Sequence, residues 1–112
     1  MTLTVSDVLE KAAELIEPEG RWTQNAFARD RSGQTVSWGD PMAVCWCARG
    51  AIARAADGQD TMRAYRVLRS ILPEVSRRSV DPVANWQDAH DRQQSEVVAA
   101  LRAAAEAARG AS

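Results

Sequence analysis

The chain has 112 residues, 46% hydrophobic and 26% charged, with a formal net charge of −1. This composition suits one compact globular domain over residues 1–112, and the charge argues against bulk attraction to nucleic acid or anionic lipid. No run of about 18 apolar residues occurs, so nothing reads as membrane-spanning, and the acidic N-terminus lacks the basic start and apolar core of a signal peptide, leaving the cytoplasm as the expected location.

Helical spacing of Val5, Val8, Leu9, Ala12, Ala13 and Ile16 predicts a first helix over 5–16. Thr4 is its expected cap, with Asp7 three residues on. Pro18 and Gly20 end it. The segments WTQNAFAR and TVSW flank a polar turn at Gly33 and predict a short β-hairpin. Two strands alone are marginal in water, so Trp22 and Trp38 are the expected anchors to the helices. Asp40 before Pro41 is a helix-start signal, a capping carboxylate followed by proline at the first helical position. It predicts a second helix to about Ala56, closed by Gly58. A third helix starts at Asp60 or Thr61 and runs through Leu72, with Ala64, Tyr65, Leu68, Ile71 and Leu72 as its apolar stripe. Residues 73–94 read as irregular or short-helical. The last helix begins near Asp91 or Ser95, buries Val97, Val98, Leu101, Ala104, Ala105 and Ala108, and closes at Gly110. The expected fold is mainly α (α+β): a compact bundle of about four helices with one hairpin between helices 1 and 2.

Charge is unevenly spread. Residues 1–20 carry five acids and one base, residues 21–80 ten bases and five acids, and residues 81–112 five acids and three bases. If the two acidic ends pack together, the molecule presents a basic face.

Cys45 and Cys47 flank Trp46. On a helix, positions two apart are separated by about 200°, so these thiols would share neither a metal nor a disulfide. Only His90 offers imidazole, and tetrahedral zinc wants about four such ligands. Both cysteines therefore read as packing residues, Cys47 within a stripe of small residues with Val44, Ala48, Ala51 and Ala55. Gly50 adds another small position, although glycine inside a helix costs about 1 kcal/mol relative to alanine. No catalytic residue, metal or cofactor is assigned.

Two other groups carry chemistry. Arg63, Arg66 and Arg69 fall on one side of the third helix, and Arg77 and Arg78 follow. They form a candidate face for an anion or an acidic partner, against the simpler reading of a solvated helix face. In NWQDAHDR, Trp86, Asp88, His90 and Asp91 lie close together. Asp88, His90 and Asp91 suit acid–base or metal-assisted chemistry. The structural alternative makes Trp86 a core plug and Asp88 a clasp on backbone donors at the start of the last helix.

The acidic first helix, Trp22, CARGA at 47–51, NWQD at 85–88 and the final SEVVAALRAAAEAA helix together resemble a family of small bacterial and phage proteins classed as a domain of unknown function. Its signature is Cys-x-x-Gly-Ala on a helix, then Trp-Asn-Asp before a capped final helix. Cys47, Gly50 and Ala51 match the first part, and Trp86 and Asp88 the second. Gln87 stands where the family usually has asparagine. The resemblance implies no activity. The leading expectation is a small non-enzymatic binding or regulatory module with a protein partner, an accessory protein of a phage or mobile element. The alternatives are a nucleotide or nucleic-acid binder using the arginines of 63–78, and a small enzyme centred on Asp88, His90 and Asp91.

Overall fold

The computed structural model describes residues 3–59, 61–73 and 80–110. Five helices and three strands occur among them, in the order α1 Val5–Ile16, β1 Ala28–Asp30, β2 Thr35–Val36, β3 Ala43–Trp46, α2 Ala48–Ala56, α3 Thr61–Ile71, α4 Pro82–Gln87 and α5 Gln94–Gly110. The fold is mainly α with a small antiparallel sheet, as the sequence predicts.

Helix α1 opens on the expected capping box. The Thr4 hydroxyl accepts from the Asp7 N–H at 3.0 Å, and the Asp7 carboxylate accepts from the Thr4 N–H at 3.2 Å. These bonds hold the Asp7 carboxyl below its ordinary range. The helix buries Val8, Leu9, Ala12, Ala13 and Ile16 against α5 and α2. Ala12 and Ala13 of α1 and Ala104 and Ala105 of α5 are fully buried, and small residues let packed helices approach closely. At the far end, the Gln94 side-chain amide donates to the carbonyls of Ile16, Glu17 and Pro18, groups that a helix C-terminus otherwise leaves without partners. Arg102 grips Glu17 with two bonds of 2.7 and 3.0 Å. The two acidic ends of the chain thus lie side by side.

The hairpin forms with Ala28 opposite Val36 and Arg29 opposite Thr35. A third strand, absent from the sequence reading, lies on the other side of β1, giving the order β2-β1-β3. It pairs Ala28 with Trp46 and Arg29 with Cys45, with a bulge between Arg29 and Asp30. This strand takes the residues expected to open helix 2. The Asp40–Pro41 signal makes a turn instead: the Asp40 carboxylate accepts from Met42 N–H at 2.7 Å, and its carbonyl accepts from Ala43 N–H at 3.0 Å. The following Ala-Val-Cys-Trp is then captured by β1, and the helix starts only at Ala48. Pro41–Cys47 is therefore not helical, and the two thiols do not project from opposite sides of a helix. Both are free, Cys45 half-buried in β3 and Cys47 buried at the cap of α2.

Trp22 and Trp38 pack against the core, anchoring the sheet as expected. The third helix meets its predicted boundaries to within a residue, and Asp60 lies outside the described residues. Helix α4, inside the stretch expected to be irregular or short-helical, is capped by Asp81 with Pro82 at its first turn. Neither Asp91 nor Ser95 caps the last helix. Glu96 reaches back to accept from the Gln93 N–H at 2.8 Å, and α5 begins at Gln94.

Candidate functional site

A cleft of about 460 Å³ opens where the sheet meets the starts of α2 and α4. Its walls include Ala26, Phe27, Cys47, Arg49, Asp81, Val83, Gln87 and Asp88. Three sequence features build it. Asn25 adopts a left-handed conformation with φ of 64°, which turns the chain into β1. The Phe27 carbonyl passes over the start of α2, where it accepts from Cys47 N–H at 3.2 Å. Gly50 permits that approach, since a Cβ there would lie 2.1 Å from the Phe27 oxygen.

Gln87, only 1% exposed, ties these pieces together. Its Oε1 accepts from the Trp22 indole and from the Ala48 N–H at 2.9 Å. Its Nε2 donates to the Thr23 carbonyl at 3.1 Å and to Asp88 Oδ1 at 2.8 Å. One amide thereby joins the loop before β1, the first turn of α2 and the end of α4. By sequence, Gln87 stands out only as a departure from the family pattern. A polar side chain flanked by Trp86 and Asp88 before a capped helix carries no local signal of this role.

Also in the cleft lining, Arg49 Nη1 lies 3.0 Å from Asp81 Oδ2. Asp81 Oδ1 accepts from the Tyr65 hydroxyl at 2.9 Å and caps α4 through Ala84 N–H at 3.2 Å. The guanidinium lies over the rings of Tyr65 and Phe27, 5.0 and 5.6 Å from their centroids. Burial and the bond to Asp81 push the Tyr65 hydroxyl above its ordinary pKa, so it remains a donor. A sequence signal for Asp81 existed: Asp81–Pro82 has the same form as Asp40–Pro41 and here does cap a helix.

The sequence-nominated residues separate. Trp86 is buried and fills the core, with Arg92 stacked 4.2 Å above its ring. Asp88 does act as a clasp, but on a different donor: Oδ1 accepts from the Asn25 N–H at 2.9 Å, not from the start of the last helix. The reason is topological, since the left-handed turn at Asn25 aims its N–H at the end of α4. His90 and Asp91 are exposed. Among the described residues no three His, Cys, Asp or Glu side chains converge as a metal would require. Arg63, Arg66 and Arg69 lie exposed along α3, away from the cleft lining, while Arg77 and Arg78 fall outside the described residues.

Residues 1–107 match the model of a family of unknown function, DUF6197. The chain belongs to this family. No curated protein and no solved structure matches it.

Cys47 is the obvious nucleophile to consider. Its Sγ accepts from the Gly50 N–H at 3.3 Å, as a cap. Burial pushes the thiol pKa up, with the Asp88 charge adding to the effect. The nucleophilic form is the thiolate, so the thiol is held in its inert state near neutral pH. Cys47 is expected to resist alkylation in the native protein and to react once urea unfolds it, which a thiol titration checks. The sign for stability follows. The folded thiol pKa lies above the unfolded one, so its contribution is complete below about 8.5, the ordinary thiol value. It is lost as pH rises through the folded value. Cys47→Ser retains a capping oxygen and should remove that alkaline loss in urea titrations.

Proposed function

We propose that this protein is a small non-enzymatic binding module that meets an acidic surface of a protein partner through α3. The supporting observation is three exposed arginines aligned on one helix face. Arg49, Arg92, Arg102 and Arg109 are ion-paired. Arg63, Arg66 and Arg69 stand exposed on one side of α3 with no carboxylate partner among the described residues. Arginine left unpaired on a rigid helix retains its five donors for a carboxylate fork on another molecule. Met62, 52% exposed one turn before Arg66, supplies apolar contact beside them. An accessory role in a phage or bacterium, and a cytoplasmic setting, rest on the family resemblance and on the sequence alone.

The test is the triple variant R63E/R66E/R69E. Exposed substitutions of this kind change stability by roughly 0.5 kcal/mol or less each, so the variant should fold. A protein partner retained by the wild-type chain should bind the variant at least about tenfold more weakly, with wild-type binding weakening as salt is raised. Undiminished binding to the variant would overturn the reading. Preferential retention of oligonucleotides, with affinity falling linearly in log–log salt plots, would replace the protein partner with nucleic acid.

A further inference from the structure

We infer that the cleft beside α4 is a second binding site, for a small organic cation: an ammonium head on an apolar, preferably aromatic, body. Its size falls within the range of small-ligand pockets. Ala26, Phe27, Val83 and Ala84 give it apolar walls, and Phe27 is half exposed. The sign of the ligand follows from what is already satisfied.

Backbone donors at the start of α2, which would otherwise favour an anion, are taken. Cys47 N–H goes to Phe27, Ala48 N–H to Gln87, and Gly50 N–H to the Cys47 sulfur. Arg49 is neutralised by Asp81 and covered by two rings. Asp88 is the charge left over. Its Oδ1 is held by Asn25 and Gln87, which fixes the carboxylate, while Oδ2 has no partner among the described residues. The cleft thus offers one fixed carboxylate among apolar walls. Asp88 also borders the shallow groove that continues past Asn85 and Ala89, so a ligand reaches it from solvent.

Three probes of one shape decide the matter: phenethylammonium, neutral phenethyl alcohol and anionic hydrocinnamate. Phenethylammonium should saturably shift the backbone amide resonances of Asn25, Ala84 and Asp88. The alcohol and the carboxylate should bind at least about tenfold more weakly, the worth of one charge-assisted hydrogen bond. Asp88→Asn keeps an oxygen for Asn25 and Gln87 and loses only the charge, so it should fold and lose about tenfold in affinity for the cation. Phe27→Ala should weaken binding with the charge intact. Equal responses to the three probes, full binding to folded Asp88→Asn, or no saturable response to the ammonium would each overturn the site. The R63E/R66E/R69E variant should bind the probe as wild type does, so this outcome is independent of the α3 reading.

Discussion

Gly50→Ala is expected to be among the most damaging single substitutions in this protein, although it adds one methyl group to a helix. By helix propensity alone the change would stabilise by about 1 kcal/mol. Here the new Cβ would stand 2.1 Å from the Phe27 oxygen and 2.9 Å from its carbonyl carbon. The obstacle is backbone, not the end of a flexible side chain, so it cannot rotate away. Relief requires moving the Phe27 carbonyl off Cys47 N–H, which breaks the seam between β1 and α2. Overpacking in a rigid interior costs about 1–3 kcal/mol, and more where backbone must shift. A net loss of about 3 kcal/mol, or failure to fold, is expected in urea denaturation of the purified variant. Stability equal to wild type would show that the seam is looser than the structure has it.

Gln87→Leu should cost a similar amount for a different reason. Leucine nearly matches glutamine in volume, so little cavity or clash arises. What remains is a set of groups without partners: the Trp22 indole N–H, the Ala48 N–H and the Thr23 carbonyl. Each buried polar group left unsatisfied costs about 1–3 kcal/mol, and a total of about 3–5 kcal/mol is expected. The comparison variant is Gln24→Leu. Gln24 also bridges to the end of α4, through the carbonyls of Gln87 and Ala89, but it does so at the edge of the fold. It should cost roughly 1 kcal/mol. Equal losses for the two variants would remove Gln87 from its central place.

How much could be read in advance differs by residue. Thr4 and Asp7 were legible because a capping box is closed within four residues. The apolar stripes of α1, α3 and α5 were legible because helical spacing is a local property. The Asp40–Pro41 signal failed because Asp-Pro stabilises either a helix start or a turn, and the next residues decide. After Asp81–Pro82 the chain continues as α4; after Asp40–Pro41 it joins β1. The cleft was not legible at all, since Asn25, Cys47, Asp81 and Asp88 are separated by up to 63 positions along the chain. The arginines of α3 were legible as one helix face, and their lack of carboxylate partners among the described residues was not.

Residue order was enough for the helical class, the capping box of α1, the hairpin and the segregation of charge, because each arises from neighbours a few positions apart. The tertiary structure alone decided that residues 43–46 form a strand and that Gln87 joins three elements. It also decided that Asp88 retains one carboxylate oxygen without a partner among the described residues. Those outcomes depend on which distant backbone groups compete for the same donors and acceptors. That competition is settled only when the sheet, α2 and α4 come together.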